Sequence, residues 1–431
     1  MNSLPPVTAP ITIGDCTVVP GNRWDLVADV RPPPPTVTVV VPHYDDEARL
    51  ALVLAALERQ DHPPGLMQVV VADDGSPRPP TMPRWSRHPS PLLVRQPDLG
   101  FRAGAARNLG AAAGEGDVLV FLDGDTVPAL DFVRRLASWP ARLPDALAVG
   151  VRHHVDLGGW EPSRLTSWLL GGGGRIAAPR ALDDPTWLAD GYRETRSLLD
   201  ADDRSYRFVL SAVLACGRRL FEELGGFDPR FVGYGGEDWE FAFRAFNAGA
   251  ILVHEPRAVA WHDGPDQGAR APDPEAKAVE RKRLDELVPV GREVEFPDER
   301  ACYVDTVVTT TSDRRPPSAD VLARARFHVE LLDGAGLGSG AVAALVGPLA
   351  RHQCGEIHVR IDRRVVARAT STRALRRSAR WSPTDPRALI APLFGRIEIG
   401  TAAPRRPLDV QLEAVAEPYE VGRVHLFDQR P

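Results

Sequence analysis

Lysine is nearly absent from this chain of 431 residues. It occurs only at Lys277 and Lys282, and arginine carries the remaining positive charge. That skew reads as GC-rich coding and not as function. The 52 basic residues are outnumbered by 58 acidic ones, a net charge of -6, so there is no basic footprint for nucleic acid. Cysteine is scarce as well. Cys16, Cys216, Cys302 and Cys354 are scattered without a C-x-x-C pair. This excludes a zinc knuckle and a disulfide scaffold, and leads us to expect a reducing, cytoplasmic setting. No apolar run reaches the roughly 18 residues that a membrane span needs. The N-terminus lacks the basic and then apolar pattern of a secretion signal. Peripheral membrane contact stays open. What is present, 43% hydrophobic and 26% charged residues, is an ordinary globular composition.

Residues 1–35 are Pro-rich and end in Pro32, Pro33, Pro34 and Pro35, which suggests an arm with one short strand near Ile11–Val19. The run Val37–Val41 predicts a strand buried on both faces. Leu50, Val53, Leu54 and Leu57 then recur at helical spacing behind Asp45, Asp46 and Glu47, acids suited to a helix N-terminus. Val69–Ala72 predicts the next strand, completing a β-α-β unit and hence parallel strands. A helix over Ala103–Ala113 and a strand over Val118–Leu122 follow. Residues 151–208, with four glycines at 171–174, look irregular, as a binding loop or subdomain would. Phe208–Cys216 predicts a strand, and a short helix stops at Gly225–Gly226. A helix begins at Asp238 with Trp239, Ala242, Phe243 and Phe246 on one face. Short strands at Ile251–His254 and Val259–Trp261 follow. These patterns give a main domain over 36–266, a helical or linker segment over 267–300, and a C-terminal α/β unit over 301–431. In that last unit Tyr303–Thr311 and Ile357–Ile361 read as strands, and Val321–Leu332 as helix or strand.

Six short motifs could carry chemistry. Pro42-His43-Tyr44 ends the first buried strand, where a ring could pack on a base, or where a plain strand-to-helix turn could sit. Asp73-Asp74-Gly75-Ser76 ends the second; a carboxylate there could accept from a base N–H, or form an Asx-turn. Phe101–Gly110 is rich in small residues, and Arg107 could reach a phosphate or simply lie on a packing helix. Asp123-Gly124-Asp125 ends a third strand. In an extended chain residues i and i+2 face one side, so both acids could point at one hard cation shared with phosphate. An Asp-Gly turn is the plain alternative. Gly235-Gly236-Glu237-Asp238 puts two acids behind a glycine loop at a helix start, which suits a general base and also suits N-capping. Trp261-His262-Asp263 adds an imidazole that could complete a mixed N/O cation site.

In this order the motifs resemble family-2-type glycosyltransferases of the GT-A fold, over about Thr36 to Asp263. The resemblance is closest to the galactosyl- and N-acetylgalactosaminyl-transferring branch, as in chondroitin-polymerase-like domains. It rests on Phe101–Gly110, Asp123-Gly124-Asp125, Gly235–Phe241 with Arg244, and Trp261-His262. It implies an α/β, Rossmann-like, mostly parallel sheet with a smaller C-terminal α/β domain. It also implies a nucleotide-sugar pocket lined by Pro42, His43, Tyr44, Asp74, Arg107, Asp123, Gly124 and Gly236. Mn²⁺ or Mg²⁺ would be held by Asp123, Asp125 and His262. Asp238 would be the catalytic base, and Glu237 would orient the acceptor or sugar. The implied reaction moves a Gal, GalNAc or Glc type of hexose from a UDP-sugar to a glycan, lipid-linked or small-molecule acceptor. One base and no opposed nucleophile imply inversion. The family usually has Asn where Asp45 stands, and often Trp where Tyr234 stands. An inactive nucleotide-sugar-binding module is the first alternative, although Asp123, Asp125, Asp238 and His262 are all retained. A sugar nucleotidyltransferase is the second; it would want a Gly- and Arg-rich loop after the first strand, which Pro42–Asp46 is not.

Overall fold

The structure, a computed structural model, describes residues 11–13, 16–19, 22–171, 176–201, 204–233, 235–266, Leu284, Val288 and six strands between 304 and 426. The chain divides into two compact units. The first is Met1–Glu222, Gly226–Ala242 and Ile251–Arg281; the second is Glu223–Gly225, Phe243–Ala250 and Lys282–Pro431. The four-glycine segment from Gly172, Tyr234 and nearly all of 267–300 lie outside the described residues.

The first unit opens with a hairpin, β1 (Ile11–Ile13) and β2 (Cys16–Val18), where one strand was expected. Its main sheet has nine strands: β3 (Val37–His43), β4 (Met67–Asp73), β5 (Leu92–Arg95), β6 (Val118–Leu122), β7 (Thr126–Pro128), β8 (Ala146–Asp156), β9 (Arg180–Ala181), β10 (Val213–Gly217) and β11 (Ile251–Asp263). The order is β5-β4-β3-β6-β10-β8-β11-β7, with β9 beside β8. Six strands (β3, β4, β5, β6, β8 and β11) run one way and β7, β9 and β10 run against them. This is the mixed, mostly parallel α/β sheet that the β-branched runs predict. All five residues of β6 are buried, as a strand covered on both faces requires.

Helix α1 (Glu47–Leu57) starts on Asp46, whose Oδ1 accepts from the Arg49 N–H at 3.1 Å. Helix α2 (Ala103–Ala113) has the predicted bounds and packs on β3 and β4. Its small residues set the distance. A Cβ on Gly110 would stand 2.4 Å from Val40 Cγ1 and 3.3 Å from Ala72 Cβ. Helix α3 (Phe132–Arg142) packs on β8, β10 and β11.

Four readings need correction. Among the described residues of 151–208, β8 runs to Asp156, followed by α4 (Pro162–Leu169), β9 and α5 (Thr186–Glu194). The polar Arg152-His153-His154 masked the strand. Ser205–Phe208 is a 3-10 turn, so β10 begins only at Val213. After it comes α6 (Arg218–Glu223) with Gly225 and Gly226 at φ 76° and 71° behind it, and α7 begins at Glu237 and runs to Asn247. Finally, β11 is one strand whose pairing with β8 shifts register between His254 and Val259. Pro256 falls in that shift, where a residue without an N–H is tolerated. The arm is also anchored. Buried Asn22 donates to the Leu198 and Leu252 carbonyls at 2.5 and 2.6 Å and accepts from the Leu252 N–H at 2.9 Å.

The second unit holds a six-stranded sheet: β12 (Val304–Thr310), β13 (Ala325–Leu332), β14 (Glu356–Ile361), β15 (Arg364–Thr370), β16 (Arg396–Ile399) and β17 (Arg423–Leu426). The order is β16-β12-β13-β14-β15-β17; the first four are mutually parallel and the last two pair antiparallel. Within the ambiguous segment 321–332, Ala325–Leu332 is strand, and 321–324 lie outside the described residues.

Gly110→Ala tests the helix–sheet approach. Ala in a helix gains about 1 kcal/mol over Gly, while overpacking a closed core costs about 1–3 kcal/mol. Val40 is fully buried and cannot yield, so urea unfolding should show a net loss of stability.

Candidate active site

The carboxyl ends of β3, β4 and β6 meet the N-terminal ends of α2 and α7. At the end of β4, Asp73 accepts from Ser76 N and Oγ (3.0 and 2.5 Å) and from Arg95 Nε (2.5 Å). Burial works against its charge, but these donors hold it below the ordinary carboxylate range. It is the Asx-turn. Asp74 beside it accepts from Gln96 Nε2 (2.5 Å) and the Arg102 N–H (2.6 Å), so it joins the turn to the start of α2. At the end of β3, Pro42 is half-buried and His43 is buried, its pKa lowered by burial. Tyr44 is exposed, with its hydroxyl 3.3 Å from Asp98 Oδ2. Asp45 has φ 44°. Asn and Asp both tolerate that left-handed conformation, so the departure from Asn is conservative for the backbone.

Asp123-Gly124-Asp125 is a turn and not an extended pair: the Thr126 N–H donates to the Asp123 carbonyl at 3.0 Å. Gly124 is needed because a Cβ would stand 2.8 Å from the Pro42 carbonyl oxygen. The two acids have different protein partners. Asp123 Oδ1 accepts from Arg107 at 2.6 Å. Asp125 Oδ1 lies 3.1 Å from His262 Nδ1 and 3.2 Å from Thr126 Oγ1. Burial disfavours the Asp125 charge, but the His262 and Thr126 bonds outweigh it and lower its pKa. Strand pairing delivers that contact, since His262 of β11 sits opposite Thr126 of β7.

Arg107 is 3% exposed. One terminal nitrogen donates to Asp123 and the other to Glu237 Oε1 at 2.8 Å. The Phe227 ring lies 5.5 Å from its guanidinium carbon. Burial opposes its charge, but the two carboxylates hold it protonated. Glu237 and Asp238 open α7 behind Gly235 and Gly236, at φ 94° and 87°. Glycine takes such angles without strain. Asp238 Oδ1 accepts from the Trp239 N–H at 2.8 Å. Burial, then the neighbouring Glu237 charge, push its pKa up to about 7.

Sequence reasoning missed three residues. Asn108 clasps Phe227 through both backbone groups at 2.8 Å, fixing the chain that leads to the glycine loop; its place beside Arg107 was the available signal. His154 lies beside His262, with ring centroids 5.0 Å apart, and Asp184 Oδ1 is 3.1 Å from its Nδ1. Burial, with Arg152 nearby, lowers the His154 pKa and favours the neutral ring. Their pairing across β8 and β11 has no sequence signal once β8 is unread.

Residues 38–203 match the family described as glycosyl transferase family 2. Those residues form a glycosyltransferase family 2 domain. Residues 199–257 match the N-terminal domain of galactosyltransferase. The chain is 28% identical over 255 residues to a hyaluronan synthase of Pasteurella multocida, covering 55% of this chain and 25% of that protein. It is 26% identical over 247 residues to a chondroitin synthase of Escherichia coli, covering 52% and 34%. It is 29% identical over 212 residues to a validoxylamine A glucosyltransferase of Streptomyces hygroscopicus subsp. limoneus, covering 47% and 46%. The chain thus spans between a quarter and a half of the length of these curated relatives. Among solved structures, a mannosyltransferase from Pyrobaculum calidifontis aligns with a TM-score of 0.40 at 21% identity, covering 62% of this chain and 67% of that one.

The donor set allows a divalent cation only in part. Among the described residues no group of three His, Cys, Asp or Glu side chains is placed to hold a metal. Asp125 and His262 offer one oxygen and one nitrogen side by side, while Asp123 is engaged by Arg107. Two protein donors suit a cation that takes its other ligands from water and substrate phosphate. Asp125→Ala should therefore weaken Mn²⁺ binding in the presence of UDP by about tenfold or more, and Asp123→Ala by clearly less. Calorimetry with the two variants checks this order.

Proposed function

We propose that the family-2 domain is an inverting, metal-dependent glycosyltransferase that moves a hexose from a UDP-sugar to an acceptor hydroxyl. The observation that carries the reading is Asp238, a half-buried acid at a helix start whose pKa of about 7 matches the working pH of a general base. It would take the acceptor proton as the hydroxyl attacks the anomeric carbon. No nucleophile faces it in the motifs, which supports single displacement. Asp125 and His262 would hold Mn²⁺ or Mg²⁺, and the bound cation would stabilise charge on the departing diphosphate. Pro42, His43, Tyr44, Asp74 and Gly236 would line the nucleotide-sugar pocket, with Asp123 and Gly124 at its floor. Glu237 would orient acceptor or sugar. Relatives named as a hyaluronan synthase, a chondroitin synthase and a validoxylamine A glucosyltransferase support transfer of a hexose and an acceptor that is a glycan or a smaller hydroxylated molecule. Among the described residues no helix is long and apolar enough to cross a membrane. The domain division at 36–266, 267–300 and 301–431 belongs to the same proposal.

UDP release with an acceptor panel tests the reading, and full turnover in EDTA would remove the cation from it. Asp238 must be ionised to act. Its value is raised, so kcat should fall about tenfold per pH unit below about 7. The sign for stability is opposite. A carboxyl with a raised folded-state pKa favours folding below pH about 4, and that contribution is lost as pH rises through about 7. Asp238→Asn should therefore lower kcat by about 10²–10⁴-fold while leaving the pH 8 unfolding midpoint equal or higher. A variant that keeps full turnover overturns the base assignment.

A further inference from the structure

We propose that Arg107 is a positioning residue and not a diphosphate ligand: its guanidinium ties Asp123 of the β6–β7 turn to Glu237 of α7, and so holds the Asp238 carboxylate at a fixed distance from the leaving-group side of the site. The inference rests on the reading of Asp238 as the base.

A phosphate-binding arginine presents its N–H groups to the ligand. Here both terminal nitrogens already donate to protein carboxylates, at 2.6 and 2.8 Å, and the side chain is 3% exposed. Its Nε is buried without a partner. Turning the guanidinium towards a phosphate would strand Glu237, 8% exposed, without its counter-charge. The neighbourhood is built around the inward pose. A Cβ on Gly104, one turn earlier on α2, would stand 3.2 Å from Phe227 Cβ and 3.6 Å from Glu237 Cγ, so the helix approaches α7 closely at this point. Phe227 supports the guanidinium from below and is itself pinned by Asn108.

The consequence for Asp238 is electrostatic as well as geometric. The charged groups acting on it are Glu237 of its own helix, which disfavours its ionisation, and Arg107 of α2, which favours it. The Ser211 and Trp239 backbone N–H groups that face it are neutral donors and also favour the ionised form. Removing Arg107 leaves two adjacent acids with no cation between them, and two such carboxylates resist joint ionisation.

Three variants of the full chain test this: Arg107→Met, Arg107→Lys and the double variant Arg107→Met/Glu237→Gln. The readouts are UDP affinity with Mn²⁺ by calorimetry, the pH profile of kcat, and the titration of the Asp238 carboxyl carbon by NMR without ligand. In Arg107→Met the UDP affinity should stay within about threefold, while the Asp238 midpoint moves up by about one pH unit or more. The double variant should bring that midpoint back. Arg107→Lys keeps the charge but cannot reach both acids, so kcat should fall by about tenfold at an unshifted midpoint. A loss of UDP affinity beyond about thirtyfold with an unmoved midpoint would make Arg107 a ligand and overturn the proposal. Should Arg107→Met fail to fold, Arg107→Lys decides through the split between UDP affinity and kcat. A wild-type protein without UDP release would remove the transferase reading alone, because the NMR midpoint reports on Arg107 without turnover.

Discussion

A buried guanidinium between two carboxylates holds the site together. Placing Arg107 in the interior costs several kcal/mol in desolvation, and only close, well-aligned partners offset it. Asp123 and Glu237 provide them from a turn after β6 and from the start of α7, segments more than a hundred residues apart in the chain. Each acid is thereby given a conformation that its own segment does not dictate. Asp123 faces Arg107, while Asp125 lies beside His262. Glu237 faces Arg107, with the half-buried Asp238 next to it.

That interaction depends on close packing elsewhere. Gly104 and Gly110 let α2 lie nearly on the sheet and on Phe227. The rings of Phe121, Phe221, Phe227 and Phe241 stack behind, with neighbouring centroids 4.7–5.8 Å apart. Tight interiors transmit small displacements, so the acids at the surface of this core keep their spacing. The same packing gives Asp238 its raised pKa, because burial is the larger cause and the Glu237 charge the smaller. An acid with a raised pKa also contributes less to folding stability as the pH rises through that value.

Much of this was legible in the sequence because it is local. The β-branched run at Val37–Val41 gave β3, the apolar spacing after Asp46 gave α1, and the small-residue stretch gave α2 to the residue. Asp-Gly-Asp and Gly-Gly-Glu-Asp marked the loop ends where chemistry is placed. Where the signal was mixed, the reading broke. Arg152-His153-His154 hid the end of β8, and the polar bulge around Pro256 split β11 in two. In both cases neighbouring strands supply hydrogen bonds that override a weak alternation.

The sequence by itself determined which residue types stand at the strand ends: three acids of two loops, a histidine, and a base candidate behind two glycines. It also determined the α/β class, since hydrophobic period is a local property. Only the tertiary structure decided which way those side chains point. Asp123 is bound by Arg107 and Asp125 lies beside His262, while burial and the Glu237 charge raise the Asp238 pKa. Direction and desolvation are set by partners distant in the chain, and no spacing between residues encodes them.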